Sequence, residues 1–305
     1  MARDGVFDGL DACFTWHPGS VNRVNLGSSL AKNEFEAVFR GKTSHAAANP
    51  EHGRSALDAA ELMNMGVNFL REHVSDDVRI HYVYKNGGAA PNIVPEQARL
   101  WYYVRASNRE RVENVYARVL TCAEGAALMT GTEHEIHVIT GVYDFLPNMA
   151  LSRVLYDNLS ELGPTVFTEE ETAFGKTLQR SLGVPETGYS PEVQPFEPPA
   201  RSGSGSTDAA DVSRIVPTGG EITIATMPPG TPGHSWAVTA ASGSSGGMTG
   251  MMTAAKVLAM SSLDVLTKPD IAEKAREEFD RATEGFTYKS AVPEGSKPPL
   301  PDAIR

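Results

Sequence analysis

Between residues 33 and 147 the hydrophobic period alternates in one order, and this constrains the fold more than any other feature. Residues 34–40 alternate apolar and polar side chains, which puts Phe35, Ala37 and Phe39 on one face of a strand. Residues 55–73 switch to the helical period, with Leu57, Ala60, Leu62, Met65, Val67, Phe69 and Leu70 forming a broad apolar stripe. Residues 78–85 and 96–106 return to period two. Residues 108–129 are a second amphipathic helix with Asn108 as its N-cap, and 134–145 close the series as a strand. The order β-α-β-β-α-β is that of a ferredoxin-like split motif, whose two helices cover one face of a four-stranded antiparallel sheet.

The flanks read differently. Cys13-Phe14-Thr15-Trp16-His17 predicts a short buried strand stopped by Pro18-Gly19. Beyond Pro147 the pattern predicts helices at 150–162 and 169–182, the second opened by a Thr168/Glu171 capping box. A Pro/Gly/Ser-rich loop at 183–206 follows, then a short helix at 208–215, a strand at 221–226 and a turn at 227–233. A long apolar helix at 246–260, buried on most sides, precedes an amphipathic helix at 269–281 and a Pro-rich surface tail.

With 305 residues there is enough chain for two domains, each with its own core. The 38 acidic against 27 basic side chains, a net charge of −11, argue against nucleic acid or an anionic membrane as partner. No apolar run reaches the roughly 18 residues of a membrane span and no signal-peptide pattern opens the chain. Cys13 and Cys122 form no disulfide framework, which fits the reducing cytoplasm.

Four features could carry chemistry. His17 and His234 each sit in a rigid Pro/Gly turn beside a tryptophan, as a metal ligand or a hydrogen-bonded loop histidine does. His45, among small residues in Gly41-Lys-Thr-Ser-His45-Ala-Ala, either donates to a substrate oxygen or simply starts a helix. Asn92 in Pro91-Asn-Ile-Val-Pro and Arg105 pair an amide with a guanidinium, which suits a carboxylate, although a turn former and a surface charge look the same. Ser206 and Thr207, in Gly203-Ser-Gly-Ser-Thr-Asp208, lie in a hydroxyl-rich run entering a helix and serve as an anion contact or an N-capped loop. His52, His73 and His81 read as ordinary exposed side chains, and His134 and His137, three apart on a strand, point to opposite faces.

The segments Asp11-Ala-Cys-Phe-Thr-Trp-His17-Pro-Gly, Gly41-Lys-Thr-Ser-His45-Ala-Ala-Ala-Asn-Pro, Asn92-Ile-Val-Pro, Arg105, Gly205-Ser-Thr-Asp208 and Pro232-Gly-His234-Ser-Trp occur in one order over nearly the whole chain. Together they resemble the dinuclear metal-dependent amidohydrolases of the carboxypeptidase and aminoacylase type, in particular the B-type branch that hydrolyses p-aminobenzoyl-glutamate in folate catabolism. The resemblance implies an α/β fold: an incomplete zinc-peptidase-like catalytic domain at 1–32 and 148–305, with an inserted ferredoxin-like α+β lid and dimerisation domain at 33–147. It implies two divalent ions, zinc or manganese, that activate water, with His17 and His234 as metal ligands. His45 would reach across a dimer to polarise the scissile amide, while Asn92, Arg105, Ser206 and Thr207 hold the substrate. It also implies a homodimer, or a heterodimer with a related A-type subunit, acting on a small amide that carries a carboxylate. The family's first ligands and its Glu-Glu general base have no counterpart before Asp11, so the chain reads as the C-terminal portion of such an enzyme, inactive alone. The alternatives are a non-enzymatic dimerisation remnant and a dipeptidase of the same family.

Overall fold

The computed structural model describes residues 1–198, 203 and 205–296. Two compact units emerge. One comprises Met1–Ser28, Phe145–Gly203 and Asp211–Tyr288, and the other comprises Ser29–Asp144, Ser204–Ala210 and Lys289–Arg305. Ser204 of the Gly/Ser run, and the part of the expected surface tail beyond Ser296, lie outside the described residues.

The first unit opens with β1 (Trp16–Gly19) and β2 (Arg23–Val24), two short strands that flank a third arriving late in the chain. The first strand departs from expectation. It does not stop at Pro18-Gly19 but runs through both, while Cys13 makes only an isolated bridge to Thr218. Proline lacks a ladder donor, yet an edge strand can turn that position outward, and β1 is an edge of its sheet.

The second unit contains β3 (Ala31–Arg40), α1 (Ala56–Leu70), β4 (Arg79–Asn86), β5 (Gln97–Ala106), α2 (Arg109–Thr130) and β6 (Glu133–Val142). Its four strands lie in the order β4-β5-β3-β6, every neighbour antiparallel, as the split motif requires. The Ser55 hydroxyl caps α1 and the Asn108 side chain caps α2, accepting from the Arg111 amide at 2.9 Å. Gly131, at φ 63°, ends α2 in the left-handed conformation. Alternation along β5 sends Ala98, Leu100, Tyr102, Val104 and Ala106 toward the helices, where they are buried with Phe35, Phe39 and Met63. Each large side chain sealed there contributes on the order of 1.5–3 kcal/mol. Tyr102 stacks on Phe35 at 5.4 Å, and its hydroxyl donates to Asn64 on α1. The opposite face is polar and aromatic: Trp101 donates to Glu34 at 3.1 Å, and Lys32 pairs with Glu34 at 2.8 Å.

The remainder of the chain supplies α3 (Met149–Leu162), α4 (Glu169–Leu182), α5 (Ala209–Val212), β7 (Ile222–Ala225), α6 (Trp236–Ser242), α7 (Ser245–Thr267) and α8 (Pro269–Ala282). β7 is the central strand of the first unit, parallel to β1 and antiparallel to β2. Ile222 and Ile224 are fully buried with Leu155 and Leu159 of α3 and Ala254 and Val257 of α7. Gly250 lets α7 approach β7 so closely that a Cβ there would collide with the Ala225 carbonyl. Contrary to the expectation of burial on most sides, α7 exposes Met248, Met251, Met252, Leu263 and Leu266. No described helix is long and apolar enough to cross a membrane.

Candidate functional site

His17 is the second residue of β1 and is exposed. Its Nδ1 lies 2.6 Å from the Pro18 carbonyl. A carbonyl can only accept, so the proton sits on Nδ1 and the Nε2 lone pair is left for another partner. This is the arrangement in which a backbone acceptor orients a metal-ligating imidazole. Glu221, just before β7, is a neighbour that sequence reasoning misses. Burial pushes its carboxyl up, and the nearby His17 opposes that shift. An acid at the mouth of a strand gives no signal in a single sequence.

His234 lies in the turn before α6, exposed, with φ 54°. Among the described residues it is the only non-glycine with positive φ. A β-carbon in that region costs roughly 1–2 kcal/mol, and such strain gathers at functional positions. Both imidazoles belong to the first unit, His17 on β1 and His234 on the loop that follows β7, the strand bonded to β1. As donors they do not make a two-metal centre. Zinc takes about four ligands, and no group of three or more His, Cys, Asp or Glu that could hold a metal ion occurs among the described residues. The described donor set therefore does not fit a dinuclear site.

His45 is exposed in the second unit, on the segment after β3. Its Nδ1 accepts from the backbone amides of Ala47 at 3.2 Å and Ala48 at 3.1 Å. Those bonds require an unprotonated Nδ1, so a neutral ring carries its proton on Nε2 and offers it as a donor. The tautomer is the opposite of that of His17. The segment is backed by the loop of Asn92: His45 bridges Ile93, the Ala46 amide donates to the Asn92 carbonyl at 3.0 Å, and the Val94 amide donates to the Ser44 carbonyl at 3.0 Å. His45 and Asn92, some 47 positions apart in the chain, are thus held on adjoining backbones. At Gly41, a Cβ would run into the Arg54 carbonyl, so the segment leaves the sheet under a tight steric constraint.

Arg105 projects from β5 on the face away from the helices, with its guanidinium carbon 5.3 Å from the ring centre of Tyr103. A guanidinium at this distance over an aromatic ring is held by the ring's negative face, which limits where the side chain can sit. The Thr207 hydroxyl accepts from the Ala209 amide at 3.3 Å, which is the behaviour of a turn or cap. The Ser206 hydroxyl is buried without a hydrogen-bond partner among the described residues.

Residues 31–128 match the family model described as the M20 peptidase dimerisation domain. The B-type chain of p-aminobenzoyl-glutamate hydrolase from Escherichia coli (strain K12) is 33% identical over 98% of this chain and 67% of its own length. The Xaa-Arg dipeptidase of Mus musculus is 32% identical over 90% of this chain and 57% of its own. The chain thus spans between 57% and 67% of the length of these two relatives. The crystal structure of an aminobenzoyl-glutamate utilization protein from Klebsiella pneumoniae superposes with a TM-score of 0.51 at 22% identity, covering 70% of this chain and 49% of that one, a likeness of fold.

Proposed function

The chain belongs to the M20 family of peptidases and amidohydrolases, and from that membership we propose that it serves the hydrolysis of an amide bond next to a carboxylate, with p-aminobenzoyl-glutamate as the substrate. The observation that carries the reading is His45: two backbone amides hold Nδ1 as an acceptor, which turns Nε2–H into a donor for the scissile carbonyl oxygen. Asn92 and Arg105 supply an amide and a stacked guanidinium for the carboxylate. His17 and His234 enter as part of the ligand set for zinc or manganese. A complete centre needs donors beyond these two, so the 305 residues alone are expected to be inactive. The two free thiols suit a reducing cytoplasm.

The partner proposed is a second copy or a related A-type subunit, docked on the outer edge of β4 and the adjoining surface of α1. Met65, Phe69, Val83 and Tyr84 are exposed there, on two elements tied by the Asn64–Tyr84 hydrogen bond of 2.9 Å. A second reading, a dipeptidase specific for a basic C-terminal residue, is favoured by the Mus musculus relative.

Binding separates these readings. The aminobenzoyl group is its own fluorophore, so titrating the purified chain with p-aminobenzoyl-glutamate reports directly. Saturable binding that weakens about tenfold in Arg105→Gln, the loss of roughly 1.4 kcal/mol, supports the proposal. Preference for an Xaa-Arg dipeptide would transfer it to the dipeptidase reading, and no binding of either would overturn both.

A further inference from the structure

We propose that Arg71, Arg79 and His81 form an anion pocket in the second unit that takes a small oxyanion carrying two negative charges, a dicarboxylate or a phosphate. The cavity has a volume of about 530 Å³ and is lined by Arg71, Asp76, Arg79 and His81 over an apolar floor of Val74, Val78 and Ile80. Its charge is what distinguishes it. Arg71 comes from the helical turn Arg71–His73 that follows α1, and Arg79 opens β4. Arg79 stands directly opposite Arg105, which in turn stands opposite Lys32, a row of three cations across adjacent strands.

In a chain of net charge −11 such a row is a local reversal of sign, and like charges directly opposite on a sheet favour an anion beside them. Lys32 already has one in Glu34. The lining holds two arginines against a single acidic residue, Asp76, and protonation of His81 would add a third cation. Two guanidinium groups on one lining match a ligand with two anionic groups better than one with a single charge. Arg79 donates through Nη1 to the carbonyls of Asp76 and Val78, which fixes the guanidinium and leaves Nε and Nη2 for a bidentate acceptor. His81 senses the same field: burial pushes its imidazole down, and Arg105, Arg71 and Arg79 push it further the same way.

The pocket is independent of amide hydrolysis, because binding alone tests it. The full chain is titrated at low salt with glutarate, inorganic phosphate and acetate while the His81 imidazole resonance is followed. Saturation by glutarate, phosphate or both, at least tenfold tighter than by acetate, together with a rise in the His81 titration midpoint, is expected. Whichever of the two saturates names the ligand class. The Arg71→Gln/Arg79→Gln double variant should lose about tenfold in affinity and Lys176→Gln, on α4, none. If the double variant fails to fold, Asp76→Asn serves instead and should tighten binding. A response that is linear in concentration, shared equally by chloride, or unchanged in these variants overturns the proposal.

Discussion

At the scale of single residues, two histidines are set to opposite tautomers by the backbone groups around them. The Pro18 carbonyl holds the proton of His17 on Nδ1, whereas the Ala47 and Ala48 amides keep it off Nδ1 of His45. In nitrogen-15 spectra of the neutral rings, Nε2 of His17 and Nδ1 of His45 should therefore be the unprotonated nitrogens. The same tautomer on both rings would remove the geometric ground for the roles proposed for them. His234 makes a different prediction, through its backbone. Glycine carries no strain at φ 54°, so His234→Gly should match the parent in thermal stability to within about 0.5 kcal/mol. His234→Val, β-branched at the same φ, should cost about 1 kcal/mol or more in a melting experiment.

At the scale of elements, the edges of the four-stranded sheet decide what it can associate with. β4 is an outer strand with no strand paired to its far side among the described residues, and Val83 and Tyr84 on it and Met65 and Phe69 on α1 are exposed. Light scattering at micromolar concentration should report a dimer that Phe69→Asp/Val83→Asp converts to monomer, while far-ultraviolet circular dichroism stays unchanged because neither side chain is in the core. A parent that is already monomeric would remove this interface. The helices and strands of the second unit are legible in the sequence because each buries one face and leaves the other wet, and the Asn108 cap of α2, like the Thr168/Glu171 box of α4 in the first unit, stands where residue type and spacing predict. The illegible pieces have local reasons. α6 starts in a Thr-Pro-Gly-His-Ser run that reads as turn, since its burial rests on Ala237 and Ala241 alone. The methionine face of α7 reads as core because hydrophobicity along a chain does not say which partner covers it. Glu221 leaves no linear signal, because the pairing of β1 with β7, not spacing along the chain, brings it near His17.

At the scale of the whole molecule, an acidic chain proposed to take an anionic substrate would have to oppose its own net charge, and the sheet of the dimerisation domain gathers cations, Arg105 among them. The proposed metal side is more sparsely furnished. One imidazole is oriented by a carbonyl and one is held on a strained turn. No group of three or more His, Cys, Asp or Glu that could hold a metal ion occurs among the described residues, so on the proposed reading the two imidazoles would hold an ion only weakly. A paramagnetic probe measures this directly. On titration with Mn²⁺ the resonances of His17 and His234 should broaden along one shared saturation curve, and His17→Ala should abolish the effect at His234. Two independent curves would mean that the imidazoles do not converge. In the same samples p-aminobenzoyl-glutamate should remain intact, since two imidazoles supply neither a full coordination sphere nor a general base. Appreciable release of p-aminobenzoate would show that a working centre forms from residues this donor count leaves out.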